Sequence, residues 1–401
     1  MLPNKEAIHD VIKIAAMLGC KINTEKLIWQ RKHYSWPDLP KGYQNTMSGS
    51  YSIPIGEKGL FQKIGIRCIH LEEDPAAWNP ETGEIDYNRS GLPLVEIVTE
   101  PDFTSSKQVI EWLKSLVLTL AYIKTLDKEA GIKADVNVST GWERVEIKNI
   151  NSLDSIKKAI EFEAQRQQKE PAKRETRRFD EKSGKTILMR TKEQEEDYRF
   201  IPDPDLPIIK LPESLVQEIK DKLPESPQEK LEKLIMQHKI DKKNADILTK
   251  NLEVVEFFEE IAEKVDPKFA LSWVTIELLR VLNWNKKTLD QVNIQPEHFI
   301  ELLQLVKAGK LTDLKAKQIL NEFIPASFSP KNKLQGSEKI SQEEEIEKFC
   351  QEAIKKNPKV VEDFRNGKQE AFNYLLGEIM KLSQRRADSK IARQVMTRLL
   401  S

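Results

Sequence analysis

Residues 201–212 read Ile-Pro-Asp-Pro-Asp-Leu-Pro-Ile-Ile-Lys-Leu-Pro, and the chain changes character across them. Four prolines in twelve residues exclude a helix interior and remove donors from any sheet ladder. Upstream, short apolar runs at Phe61–Ile69, Leu92–Val98, Ile132–Val138 and Arg144–Ile150 alternate with Gly/Pro clusters at Pro37–Gly42, Pro54–Gly59, Pro75–Gly83 and Gly91–Pro93. That is the signature of strands and turns. Three stretches there carry helical spacing instead: Lys5–Leu18, Ser106–Lys124 and Asp154–Gln168. Downstream, from about Glu213, apolar stripes at helical spacing follow one another: Val254–Val265, Trp273–Asn283, His298–Lys307, Glu343–Lys356, Gln369–Leu382 and Asp388–Leu400. The polar stretch Ser327–Ser341 reads as a linker. The expected fold is α+β: a mixed-sheet body over 1–208, a helical domain over 209–330 and a small helical tail over 331–401.

Composition narrows the function classes. The 401 residues hold 64 Lys+Arg against 64 Asp+Glu, a formal net charge of zero, with 32% charged residues. No run approaches the roughly 20 apolar residues of a membrane helix, so no membrane partner is expected. Lys5, Glu6, His9, Asp10 and Lys13 interrupt the start, so no signal-peptide core is read there. Cys20, Cys68 and Cys350 lie far apart, which indicates neither a disulfide framework nor a cysteine zinc site and makes a reducing, cytoplasmic setting the default. Neutrality leaves a nucleic-acid partner open only if charge is segregated on one face. No Gly-rich phosphate loop of the G-x-x-x-x-G-K-[ST] type is present.

Five constellations could carry chemistry. His70-Leu71-Glu72-Glu73-Asp74 follows an apolar strand and is either a hard-cation site or a solvated acidic turn. Glu96 interrupts Leu94-Val95-Glu96-Ile97-Val98 and shares a strand face with Leu94 and Val98; a carboxylate there needs a partner or a metal. In the same segment, 86–98, Asn88 and Arg89 beside a Gly turn could contact phosphate or carboxylate, or be ordinary turn residues. A hairpin is expected from Ile132–Ser139 and Arg144–Asn149. Its core side is apolar, and its other side presents Lys133, Asp135, Asn137, Arg144, Glu146 and Lys148. That side suits a nucleotide and a carboxylate substrate, and a plain solvated face looks the same. Basic and aromatic residues intermingle at Arg174, Arg177, Arg178, Phe179, Arg190, Lys192, Tyr198, Arg199 and Phe200, but acids among them read equally as a salted surface. Finally, Lys381, Arg385, Arg386, Lys390, Arg393 and Arg398 make the C-terminal end basic, as a phosphate-backbone binder or a solvated helix face would be.

The motif DYNRSGLPLVEIV (86–98) resembles the signature of the family formed by the B subunits of tRNA-dependent amidotransferases. RKHYSWPDLPKGYQ (31–44), IHLEED (69–74), EPDF (100–103), KADVNVS (133–139), RVEIKNINS (144–152), ETRRFDE (175–181), MRTKEQEEDYRFIPDPDLP (189–207) and NPKVVEDFRNGKQEAFNYLLGEIMK (357–381) are similar to the family in the same order. The resemblance implies a catalytic cradle domain, a helical domain and a tRNA-binding tail. It implies a ligase: ATP and Mg²⁺ phosphorylate the side-chain carboxylate of Glu-tRNA(Gln) or Asp-tRNA(Asn), and ammonia from a glutaminase partner then gives the amide. The implied partners are the amidase (A) subunit, the small (C) subunit and misacylated tRNA. Glu72 and Glu96 match the family's metal carboxylates, with Arg144, Glu146 and Lys148 as further catalytic candidates. Asn88, Arg89, Asp135, Lys381, Arg385, Arg386 and Arg393 are candidates for substrate and tRNA contact. Family members usually begin with a segment holding a Glu-x-His motif and zinc cysteines. Met1–Ala7 matches a point past it, so an incomplete Mg²⁺ site and no zinc are expected. A fragment, a misassigned start or loss in the lineage would each explain this, and a catalytically incomplete tRNA-binding protein is the alternative function.

Overall fold

The computed structural model describes residues 3–79, 82–126, 132–191, 199–334 and 336–400. Lys192 and Tyr198, of the basic and aromatic run, lie outside the described residues, as does the side chain of Arg190. The chain divides into two compact units, Met1–Ser226 and Pro227–Ser401.

In the first unit the chain runs α1 (Lys5–Met17), β1 (Lys21–Ile22), β2 (Gln30–His33), β3 (Gln44–Thr46), β4 (Gly56–Phe61) and β5 (Ile64–Glu73). A small hairpin of β6 (Ala77–Trp78) and β7 (Ile85–Asp86) precedes β8 (Pro93–Thr99) and α2 (Ser106–Tyr122). Then come β9 (Ala134–Val138), β10 (Val145–Ile150), α3 (Leu153–Lys169), β11 (Glu175–Asp180), β12 (Lys185–Thr191), β13 (Arg199–Pro202) and α4 (Glu213–Asp221). The main sheet has the order β1-β4-β5-β3-β2-β13, with β8 on β5. A second sheet has the order β12-β11-β10-β9; β10 and β11 are parallel and α3 joins them.

Local chemistry explains these elements. The Asn4 side chain caps α1 by accepting from the N–H groups of Glu6 (2.9 Å) and Ala7 (3.2 Å). Ile8, Val11, Ile12 and Ala15 then face inward at helical spacing. Ser105 and Ser152 cap α2 and α3 in the same way. One hydrophobic cluster joins the apolar face of α1, Ile64, Ile66, Ile69 and Leu71 of β5, Leu113, Leu116 and Leu120 of α2, Val138, Ile147 and Ile150 of the second sheet, and Val216 and Ile219 of α4. Because α4 packs into this cluster, the first compact unit continues past the proline-rich segment.

Strand β5 changes phase midway. Ile64 and Ile66 are buried, and so are Ile69 and Leu71, although their parity differs. The β5–β8 register shifts between Ile66 and Cys68, and Lys58 of β4, opposite this point, has a left-handed φ of 54°. The shift turns Cys68, His70 and Glu72 away from the apolar core.

The second unit is helical, which completes the α+β architecture expected from the sequence. Its last part has its own core, including Ile346, Cys350, Leu375, Ile379, Val395 and Met396. The polar stretch Ser327–Ser341 is tied at several points: Ser329 donates to Glu301, the Lys339 N–H donates to the Lys310 carbonyl (2.8 Å), and Ile340 bridges to Ala387. Among the described residues no helix is long and apolar enough to cross a membrane.

Two glycines test the packing. A Cβ at Gly59 would lie 2.5 Å from Cys20 Sγ and 2.7 Å from the Leu18 carbonyl oxygen, whereas one at the exposed helical Gly377 meets nothing within 4 Å. Gly59→Ala should therefore destabilise its unit by about 1–3 kcal/mol through overpacking. Gly377→Ala should stabilise its helix by about 0.5–1 kcal/mol through propensity. Thermal melts of the two variants should move in opposite directions.

Candidate active site

The register of the main sheet places one set of side chains on a single face. Lys32 pairs with Gln44, Gln30 with Thr46, Thr46 with Glu72, Glu72 with Leu94, and His70 with Glu96. Cross-strand partners share a face, so Lys32, Gln44, Thr46, His70, Glu72 and Glu96 all stand on it. Glu72 is buried there. Its carboxylate accepts from Thr46 Oγ1 (2.6 Å), Ser48 Oγ (3.0 Å) and Gln44 Nε2 (3.3 Å). Glu96 is its diagonal neighbour and makes no hydrogen bond or ion pair among the described residues. Solvent reaches the Glu96 side chain, yet protein crowds it on most sides. That burial, and after it the negative charge of Glu72, pushes the Glu96 carboxyl up to about 7. Lys32 and Lys148 oppose the rise, and Asp135 adds to it.

The hairpin supplies the opposing charges. Its polar side presents Lys148, whose Nζ lies 3.1 Å from Asp135 Oδ2 and 3.1 Å from Glu146 Oε1. Burial alone would lower the Lys148 ammonium; Asp135 and Glu146 outweigh it and hold the group above its ordinary value. The other Asp135 oxygen accepts from the N–H of Asn149 (2.8 Å), which sits in a left-handed conformation (φ 55°) where the β9–β10 register slips. Glu146 also accepts from Thr176 Oγ1 of β11 (3.3 Å). On the far side Val145 and Ile147 are fully buried. Glu72, Glu96, Asp135, Glu146 and Lys148 thus form one electrostatic group.

Other predicted residues lie elsewhere or are otherwise engaged. Burial lowers the His70 imidazole, and its ring is spent on structure: Nδ1 lies 2.9 Å from the Met47 carbonyl and Nε2 3.2 Å from Cys68 Sγ. A carbonyl only accepts, so Nδ1 carries the proton and Nε2 accepts from the thiol. Arg89 is ion-paired with Asp74 (2.9 Å), and Asp74 also accepts the N–H of Gly91 through its carbonyl, so these two brace the turn before β8. Asn88 is exposed in an Asx turn on Asp86 (2.9 Å). Arg144 is exposed just ahead of β10 and pairs with no described residue. In the second unit Lys381, Arg385 and Arg393 are exposed and Arg386 is half-buried. Lys381 lies 3.6 Å from Glu378, and Arg393 stacks over Phe372 at 5.4 Å. Sequence reasoning missed Gln44, Thr46 and Ser48, the donors that hold Glu72. The only signal was a strand of three consecutive polar residues, Gln44-Asn45-Thr46, all of which are buried.

The donor set suits a hard divalent cation. Two carboxylates share a face, one raised by burial and then by the charge of the other, and Mg²⁺ is ordinarily held by one or two carboxylates together with phosphate oxygens and water. Among the described residues no three His, Cys, Asp or Glu side chains converge as a metal cage.

Known proteins resemble the chain over most of its length. Residues 1–217 match the family described as the GatB/GatE catalytic domain, and residues 256–400 match the GatB domain family. The chain is 42% identical to the B subunit of the aspartyl/glutamyl-tRNA(Asn/Gln) amidotransferase of Methanocaldococcus jannaschii, over 97% of this chain and 85% of that protein. It is 40% identical to the protein of the same description from Methanopyrus kandleri, over 98% of this chain and 87% of that one. The corresponding figures for Methanothermobacter thermautotrophicus are 41%, 96% and 87%. The chain belongs to the GatB family, in agreement with its motifs.

The Glu96 pair has a measurable signature. Folded Glu96 holds its proton more tightly than the unfolded chain does, so the folded state loses stability as pH rises from the ordinary carboxylate range to about 7. A carboxyl-carbon NMR titration should give a midpoint near 7. In Glu72→Gln the midpoint should fall yet stay above the ordinary range, because burial is the larger cause. A midpoint that Glu72→Gln leaves unmoved would refute the coupling.

Proposed function

We propose that this chain is the synthetic subunit of a tRNA-dependent amidotransferase. It phosphorylates the side-chain carboxylate of Glu-tRNA(Gln) or Asp-tRNA(Asn) with ATP, and the product is then amidated with ammonia supplied by a glutaminase partner. The observation that carries this reading is the placement of Glu96 diagonal to Glu72 on one sheet face, with the hairpin's Lys148, Asp135 and Glu146 as its charged surroundings. The chemistry requires such a face. A carboxylate does not accept ammonia directly. Attack of its oxygen on the γ-phosphorus breaks the bond to ADP and creates an acyl phosphate. Ammonia then adds to the acyl carbon, phosphate leaves, and a proton passes to solvent.

The chain's own residues do the positioning. Glu72 is pinned by three neutral donors, so its carboxylate stays in place. Lys148, kept protonated by Asp135 and Glu146, offsets charge on the transferred phosphoryl group. Glu72 and Glu96 would hold Mg²⁺, which would supply charge neutralisation for the transferred phosphoryl group. The first compact unit, residues 1–226 rather than 1–208, serves as the catalytic domain, and the second holds a helical part to about residue 330 and a tail, 331–401, that grips tRNA through Lys381, Arg385, Arg386 and Arg393. The separate core of the tail supports that division. The partners are the amidase (A) subunit and the small (C) subunit, and the setting is the cytoplasm.

Two experiments test this. In the complex with its amidase, Glu72→Gln and Glu96→Gln should each reduce tRNA-dependent γ-phosphate transfer by at least about tenfold, the usual scale for a disturbed metal site. Transfer at the wild-type rate in both variants would sink the assignment. Replacing Lys381, Arg385, Arg386 and Arg393 together with alanine should weaken tRNA binding and flatten its logarithmic salt dependence by about 3. An unchanged slope would place the RNA contact elsewhere.

A further inference from the structure

Within the second unit, the tail meets the helical part at a single strained turn. The tail's apolar cluster draws on no residue before Ile340 among the described residues. Polar groups tie it to the helices before it. The Lys339 N–H donates to the Lys310 carbonyl (2.8 Å), the Ile340 N–H to the Arg386 carbonyl (2.9 Å) and the Asp388 N–H to the Ile340 carbonyl (2.9 Å). Lys339 Nζ lies 2.5 Å from Asp388 Oδ2. Thr312 joins the two parts directly. Its hydroxyl donates to the Arg385 carbonyl, and the same oxygen accepts the Lys315 N–H (3.1 Å) as the N-cap of the helix Asp313–Asn321. The turn that Thr312 reaches closes the helix Gln369–Leu382. The Gln384 N–H donates to the Lys381 carbonyl (3.0 Å) and the Arg385 N–H to the Met380 carbonyl (2.6 Å), the paired bonds of a Schellman end. Glycine usually takes the left-handed position of such an end, as Gly309 and Gly367 do after two other helices of this unit. Here Gln384 (φ 51°) and Arg385 (φ 66°) are both left-handed, and neither is glycine.

A left-handed residue other than glycine is disfavoured by about as much as one exposed hydrogen bond is worth. The turn therefore stands near balance: its own backbone favours relaxing, and the bond from Thr312 favours holding. An element so balanced populates two arrangements. We propose that Thr312 is a latch between the helical part and the tail. Its hydroxyl holds Arg385 in the left-handed conformation; when that bond breaks, the turn relaxes and the ties at Lys339, Ile340 and Asp388 loosen with it. Closed, the joint engages the carbonyls of Arg385 and Arg386 and so fixes the backbone from which their side chains project. The Arg385 side chain is exposed and that of Arg386 half-buried, and both are among the bases read above as RNA contacts. Thr312 is thus a positioning residue for those two arginines. That use rests on the RNA-binding reading, whereas the latch itself does not.

Hydrogen exchange of the full chain in its complex reads the joint through the Lys339, Ile340 and Asp388 amides. Thr312→Val removes the donor. Thr312→Asp keeps an oxygen to cap the helix but sets an acceptor against the Arg385 carbonyl. Both should speed exchange at those amides by about fivefold, the scale of one hydrogen bond, and Thr312→Ser should keep the wild-type rate. Arg385→Gly should slow it by a similar factor, because glycine holds the left-handed conformation without strain. Amides in the tail's own core, at Cys350 and Val395, should not move in any of these variants, which separates an opened joint from a destabilised tail. Unmoved exchange at the joint in both Thr312→Val and Thr312→Asp, or equal acceleration in the core, overturns the latch. Binding of tRNA then tests what the latch is for. Thr312→Val should weaken it by about two- to fivefold, the share of molecules left open, with the logarithmic salt slope unchanged because no phosphate contact is lost. Unchanged affinity overturns the positioning role. A wild-type complex that shows the exchange pattern yet binds no tRNA would refute the RNA-binding reading and leave the latch standing.

Discussion

The phase shift at Ile66–Cys68 governs what the central strand offers. Before it, even-numbered residues meet the core; after it, odd-numbered ones do. An unbroken period of two would bury Ile64 and Ile66 together with Cys68, His70 and Glu72, and would drive a carboxylate into an apolar cluster. Lys58, in its left-handed conformation on the neighbouring strand, lets β4 follow the change. One irregularity shared by two strands thus separates an apolar face from an acidic one. The pairing of β8 then sets Glu96 diagonal to Glu72.

The two carboxylates differ because their donors differ. Neutral groups from β3 and the residue two beyond it hold Glu72 as a hydrogen-bonded acceptor. Glu96 has no such donors, so crowding by protein and the charge of Glu72 outweigh the opposing charges of Lys32 and Lys148. Burial, and after it a like charge alongside, leaves one of the two carboxyls raised. Lys148 does not cancel this, since Asp135 and Glu146 already engage it. A cation brought in from outside is the remaining way to lower the repulsion.

Much of this was legible in the residues. A lone glutamate inside Leu94–Val98 is an anomaly that a single strand reveals, and alternation in the hairpin places Asp135, Glu146 and Lys148 on one side. The helical second half follows from its repeated stripes. What could not be read involves partners distant in the chain or breaks in periodicity. Arg89 looked like a ligand contact because Asp74, fifteen residues earlier, becomes its partner only once β5 and β8 pair. Nothing local to His70 announces the Met47 carbonyl that engages its ring. Thr46 and Ser48 carry no signal until β3 is laid beside the end of β5. Neutral net charge likewise hid an unlike distribution, with acids gathered on the sheet face and exposed bases at the C-terminal end.

The hairpin that carries Lys148 is held in place from behind by a buried ionic cluster. Glu163 of α3 has no exposed surface, and burial alone would raise its carboxyl. Hydrogen bonds from Arg166 (2.7 Å), Gln167 (3.0 Å) and Thr186 (2.7 Å) reverse the effect and keep it ionised. Gln167 then reaches the hairpin itself: its amide donates to the Val138 carbonyl (3.1 Å), and its oxygen accepts the Thr140 N–H (3.0 Å). Arg177, 3.7 Å from Glu163, ties in β11. Removing one partner from such a cluster leaves a buried charge uncompensated, which is far more unfavourable than the pair is favourable. The helix, the parallel strand and the hairpin turn are thereby coupled to one carboxylate. Rigidity at the turn fixes where β9 and β10 present Asp135 and Lys148, so the geometry facing Glu96 depends on a residue that never reaches the face.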